Sequence, residues 1–279
     1  TRPKSSAASD VYKRQTQADI EAMRATLGLD RPLIEQYINF LGDMARFDLG
    51  RSFVQNASVE EIIVSRIPET LQLATGALVV ALLIGLPLGL LMALTKGRFI
   101  SRWIMGIVLA CQSMPTFWSG IMMILVFGVW LRWLPSSGTG TLSHLIMPSI
   151  ALGLLSLATY ARITRSAVVD EMDKEYVRSA LARGVGTKRL VTKHLMRNSL
   201  IPIISITALE LSQLLAGAVI VETVFAWPGL GLLTVQSIAA RDFVVVQAVV
   251  LLGAFVTIFA NLGADILYSI VDPRVRLSA

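Results

Sequence analysis

Residues 70–95 read TLQLATGALVVALLIGLPLGLLMALT, 26 consecutive positions without a charged side chain. A helix rising 1.5 Å per residue needs about 20 apolar residues to cross a hydrocarbon core of roughly 30 Å. This run is long enough. Two others are equally free of charge: Trp103–Leu131 over 29 positions and Phe243–Ala264 over 22. Leu142–Ala161 is apolar with His144 near its start, and Ile201–Val221 is apolar apart from Glu210. The pattern predicts an all-α polytopic membrane protein, a helical bundle with five spans in this chain.

Composition agrees. Of 279 residues 54% are hydrophobic and 16% charged, and the mean hydropathy is +0.66, against roughly 25% charged in soluble globular chains. The single cysteine, Cys111, allows neither an internal disulfide nor a cysteine metal cluster. His144 and His194 stand alone and far apart, which argues against a metal site. The net charge of +6 comes from cations at the ends of apolar runs. That placement reads as topology rather than nucleic-acid binding.

Short loops rich in Lys and Arg face the cytoplasm. Segments 95–102, 162–197 and 269–279 hold 3, 9 and 2 cations, whereas 132–143 and 222–242 hold only Arg132 and Arg241. The first set is therefore expected inside, with the C-terminus cytoplasmic and residues 16–69 extracytoplasmic. Residues 1–15, TRPKSSAASDVYKRQ, are polar, with no apolar core that could carry that segment across. The reading is an unrelated leader at 1–15, a missing first span, an outer segment at 16–69 and a transmembrane domain at 70–279.

Pro87, with Gly85 and Gly89, is expected to interrupt the first run, and Pro115 the second. Gly76, Gly85 and Gly89 permit close helix approach. Polar atoms of Gln112, Ser113 and Thr116 around Pro115, with Glu210 and Gln213 on one face of their span, are candidates for a translocation path. An ionisable group inside a membrane is costly and often functional, although helix packing explains each of these residues as well. Asp265 is expected to pair with a loop cation.

The 36-residue loop Arg162–Arg197 is too long for a turn. Met172, Tyr176 and Ala180, with Val177 and Leu181, lay an apolar stripe on one short helix. Gly184-Val185-Gly186 breaks it, and Thr187 is the expected N-cap of a second helix on which Val191, Leu195 and Ser199 share a face. Two amphipathic helices around a glycine turn suit docking to a partner. A plain topology loop needs neither the length nor the periodicity.

Within this loop, DKEYVRSALARGVGTKRLVTKHLMRNSLIP resembles the "EAA" loop of bacterial ABC importer permeases, in the form carried by dipeptide, oligopeptide, nickel and glutathione importers. The matching positions are Tyr176, Val177, Arg178, Ala180, Ala182, Gly184, His194, Asn198 and Pro202; Glu175 stands where that subgroup mostly has aspartate. LGLDRPLIEQY, RIPETLQL, SMPTFWSG, LPSSG, ETVFAWPGLG, RDFVVVQ and VDPRVR are similar to further subgroup signatures, in the same order along the chain.

The resemblance implies a type I ABC importer transmembrane fold with six spans in the family. It implies a multi-pass permease of the bacterial inner membrane, importing di/oligopeptides or, alternatively, nickel or glutathione. The implied partners are a second homologous permease, two cytoplasmic ATPase subunits docked at 162–200, an extracytoplasmic solute-binding protein and the lipid bilayer. The chain has no GxxxxGK[ST] loop. ATP and Mg would therefore be used by the partners, with no cofactor on this chain. Two rivals, an intramembrane protease and an autonomous secondary transporter, lack respectively a catalytic constellation within the spans and a need for so organised a loop.

Overall fold

The computed structural model describes residues 30–46, 48–52 and 54–271. The expected leader at 1–15 and residues 272–279, with most of VDPRVR, lie outside the described residues, as does the side chain of Asp265. The chain divides into two compact units, Thr1–Gly50 and Arg51–Ala279.

In the first unit, Pro32 precedes helix α1 (Leu33–Ala45). Arg31 pairs with Glu35 at 3.1 Å over an exposed i,i+4 step, a contact of small energetic weight. Leu33, Ile34, Tyr37 and Ile38 form an exposed apolar stripe on this amphipathic helix. The chain then turns through Gly50, whose N–H donates to Asp48 Oδ1 at 3.0 Å.

The second unit opens on α2 (Val59–Leu94). Its N-cap Ser58 accepts the Glu61 N–H at 3.3 Å, and Glu60 and Glu61 lie in the first turn, where the helix dipole favours anions. Contrary to the sequence reading, α2 runs unbroken through both Pro68 and Pro87. The cause lies in its packing on α5 (Leu142–Met172). A Cβ at Gly85 would sit 2.8 Å from Tyr160 Cβ, one at Gly89 2.6 Å from the Ala161 carbonyl oxygen, and one at Gly153 2.7 Å from the Ala77 carbonyl oxygen. Backbones this close hold α2 on both sides of Pro87.

Pro115 behaves differently. Helices α3 (Phe99–Ser113) and α4 (Thr116–Met123) meet there. With the π-helical turn Ile124–Trp130 that continues α4, the pair is bent by 97°. Met114 is extended, at φ −75° and ψ 131°, as the residue before a proline prefers. The run Trp103–Leu131 is therefore two helices at a right angle rather than one straight crossing.

Beyond α5 come α6 (Glu175–Ala182), the short α7 (Thr187–Arg189), a π-helical stretch Leu190–Leu195, α8 (Met196–Val224), α9 (Leu230–Ala239) and α10 (Phe243–Val271). Among the described residues three helices are long and apolar enough to cross a membrane, and up to five spans result if each bent pair counts once. The main core joins Leu73 and Ala77 of α2, Met147 and Leu152 of α5, and Leu214 and Ala218 of α8. Phe225 and Trp227 close it.

Candidate functional site

The loop between α5 and α8 is a packed element. Val177 and Ala180 of α6 and Leu190, Val191 and Leu195 of the second helix are buried together against Ala93 of α2 and Val168 of α5. Ser199 is buried on the same face, as its spacing predicted. The stripe on α6 is narrower than the sequence suggested. Met172 closes α5 instead, and Leu181 is 53% exposed, because the helix starts only at Glu175 and turns that side outward. Thr187 opens α7 rather than preceding it, and Gly186 accepts the Leu190 N–H at 3.0 Å.

Gly184 has φ +76°, a left-handed conformation that glycine adopts without penalty. A Cβ there would meet nothing within 4 Å. The constraint is therefore the backbone turn itself, closed by the Val185 N–H donating to the Ala180 carbonyl at 3.1 Å. Arg178, Ala182, Gly184, Lys188, Arg189 and Thr192 remain exposed on the outward side.

Tyr176, His194 and Asn198, listed separately by the sequence reading, come together here. Tyr176 Oη donates to Glu171 Oε2 at 2.6 Å, and Asn198 Nδ2 donates to Tyr176 Oη at 3.1 Å. The rings of Tyr176 and His194 lie 6.5 Å apart. Partial burial and the bond to Glu171 push the Tyr176 phenol above its ordinary pKa. Glu171 also pairs with Lys174. Sequence reasoning missed Glu171, which stands among other acids in DEMDKE. Pro202 is exposed and lines a cavity of about 390 Å³ between α5 and α8, with Ala167, Asp170 and Ser205.

A second convergence lies at the other end of α8, where four separated signatures meet. Glu222, fully buried, accepts the Thr70 hydroxyl at 2.7 Å and the N–H groups of Gly231 and Leu232 at 2.6 and 3.0 Å. Its side-chain oxygens thereby satisfy orphan amides at the start of α9. Trp227 Nε1 donates to the Glu69 carbonyl at 2.9 Å, and Gly138 N–H to the Phe225 carbonyl at 3.1 Å. A Cβ on Gly120 would reach Phe225 Cε2 at 3.1 Å. RIPETLQL, SMPTFWSG, LPSSG and ETVFAWPGLG thus form one knot. Its Trp227 is 1% exposed, a core residue rather than the interfacial aromatic expected from sequence. In RDFVVVQ, Asp242 accepts the Ser52 hydroxyl, a separate contact.

Gln112 Nε2 donates to the Leu155 carbonyl at 3.4 Å, a tie between α3 and α5. Ser113 bonds the Leu109 carbonyl of its own helix at 2.9 Å, and the Thr116 carbonyl accepts the Ser119 hydroxyl at 2.9 Å. Glu210 is buried while Gln213 is exposed.

Membrane-crossing helices joined by a packed helical loop define a polytopic membrane protein. The chain belongs to the family "Binding-protein-dependent transport system inner membrane component", which matches residues 85–277. The family "Binding-prot-dependent transport system membrane comp, N-term" matches residues 1–74. The chain is 38% identical over 278 residues to the di/tripeptide transport system permease protein DppB of Pseudomonas aeruginosa (strain UCBPP-PA14), covering 90% of this chain and 83% of the relative. It is 39% identical over 257 residues to the glutathione transport system permease protein GsiC of Escherichia coli (strain K12), covering 92% and 84%. In fold it is similar to the MetNI methionine ABC transporter solved in an inward-facing conformation. The TM-score is 0.64 at 21% identity, over 76% of this chain and 97% of that one. The protein is thus an all-α, multi-pass inner-membrane permease of the ABC importer type.

Proposed function

We propose that this permease imports small peptides, di- or oligopeptides or glutathione, powered by separate cytoplasmic ATPase subunits. The α5–α8 loop is their docking element. The observation that carries this reading is the geometry of the loop. Its apolar faces are buried in the bundle while Arg178, Gly184 and Lys188 stay exposed around a turn at φ +76°. A loop that only set topology would need no such packed inner face beneath an exposed outer one.

On this reading Tyr176, Arg178, Ala180, Ala182, Gly184, His194, Asn198 and Pro202 belong to the coupling element, and the C-terminus and the α5–α8 loop are cytoplasmic. Residues 16–69 precede the transmembrane domain 70–279 on the outer side, where a solute-binding protein delivers substrate. A second homologous permease completes the path, to which Gln112, Ser113, Thr116, Glu210 and Gln213 are candidate contributors. ATP and Mg act on the partners. The names of the relatives, di/tripeptide and glutathione permeases, support the substrate class.

The test compares Gly184→Val with Thr192→Val in the complete transporter. A β-branched side chain is strained at positive φ, so the glycine variant should lose ATPase co-purification or uptake while its helices still insert. Thr192→Val should retain both. Normal assembly and uptake by Gly184→Val would overturn the docking reading.

A further inference from the structure

We infer that Glu171 is a positioning residue that clamps the docking helix α6 to the ends of both α5 and α8, so that the loop moves the two helices as one body. This rests on the docking reading above. Glu171 lies in the last turn of α5 and is 8% exposed. A carboxylate is disfavoured there, because the C-terminal end of a helix is itself negative, and its burial requires donors. The three donors come from distinct places. Lys174 precedes α6, Tyr176 lies in its first turn, and Asn198 lies in the first turn of α8.

The bonds have a direction. The Asn198 amide donates to Tyr176 Oη at 3.1 Å, and the same hydroxyl donates onward to Glu171 at 2.6 Å. The direct Asn198–Glu171 contact is longer, at 3.5 Å, so Tyr176 is the main bridge. Apolar packing alone would let α6 slide along the bundle, whereas directional, charge-assisted bonds fix its register. The two helices gripped this way also wall the cavity of about 390 Å³, α5 through Asp170 and α8 through Ser205. A pull on α6 is thereby shared by both walls instead of falling on the covalent link to α5 alone. Hydrogen-bond and salt-bridge networks between packed helices are among the carriers of such coupling, and Glu171 is the point at which this one joins α5, α6 and α8.

The experiment uses the full complex, with ATPases and binding protein, in liposomes loaded for import of a dipeptide. The readout is ATP hydrolysed per peptide imported, a ratio that lower yield of folded complex does not change. Glu171→Ala should raise the ratio about tenfold, and Tyr176→Phe should raise it less. The double variant should be no worse than Glu171→Ala, since both changes break one network. A wild-type ratio in Glu171→Ala would overturn the clamp. Should that variant fail to assemble, Tyr176→Phe, which removes one oxygen, decides by the same measure. A normal ratio together with an impaired Gly184→Val would remove the clamp and leave docking intact.

Discussion

The Thr70 hydroxyl donates to Glu222 Oε1 at 2.7 Å and accepts the Leu230 N–H at 2.8 Å, joining α2 to the start of α9 across 160 positions of sequence. One hydroxyl and one carboxylate therefore hold the turn AWPGLG in place. Gly229 and Gly231 allow this, because a Cβ on Gly229 would collide with the Glu222 carboxylate and one on Gly231 with Val219 Cα.

Replacing Glu222 with alanine should strand the Gly231 and Leu232 amides. Each unsatisfied buried donor costs about 1–3 kcal/mol, so the variant should melt at a clearly lower temperature in detergent. Thr70→Val should cost less, since it strands only the Leu230 amide while those of Gly231 and Leu232 keep Glu222. Equal melting of Glu222→Ala and wild type would remove this account of the turn.

The α2–α5 seam predicts a contrast between glycines. Gly153→Leu must push against the Ala77 carbonyl, whereas a Cβ on Gly106 meets nothing within 4 Å. Overpacking costs typically 1–3 kcal/mol, so the first variant should lose folded yield on size-exclusion chromatography while Gly106→Leu should match wild type.

Asp242 is 4% exposed, accepts the Ser52 hydroxyl and, through its carbonyl, the Val246 N–H at 3.1 Å. Ser52 in turn accepts the Gln55 N–H at 2.9 Å. Asp242→Ala should release this turn, seen as faster amide hydrogen exchange at residues 51–58 with the helices still protected. Unchanged exchange would show that the Arg51–Ser58 bridge suffices alone.

Tyr176 gives a pH dependence. Its phenol is held above the ordinary tyrosine pKa of about 10, so its bond to Glu171 is fully present below that pH. The bond is lost as pH rises through the raised value. In an alkaline absorbance titration, the signal missing from Tyr176→Phe should belong to a tyrosine that ionises late. A signal at the ordinary value would contradict the bond.

The spans were legible because a charge-free run of sufficient length has few fates. Proline was not legible in the same way. Pro87 and Pro115 sit in equally apolar runs, yet only Pro115 breaks its helix, since neighbouring packing decides whether freed backbone groups are supported. The loop pattern placed Val191, Leu195 and Ser199 correctly but could not show that Leu181 faces outward. Glu171 and Glu222 escaped sequence reading because their partners are backbone amides or residues on other elements, and no periodicity encodes those. His194 and Asn198 were found through resemblance and Tyr176 also through the stripe, and the meeting of Tyr176 and Asn198 at Glu171, with the His194 ring beside Tyr176, is visible only in three dimensions.

The α2–α5 seam joins helices that are not neighbours in the chain, with α3 and α4 lying between them. At roughly 5–20 residues per second, a ribosome spends several seconds making residues 95–141. During that interval the α5 surface that packs on Gly76, Gly85 and Gly89 of α2 has yet to be made. Synthesis rate thereby enters the assembly of this protein. A ribosomal pause before residue 142 would lengthen that interval without changing a single amino acid.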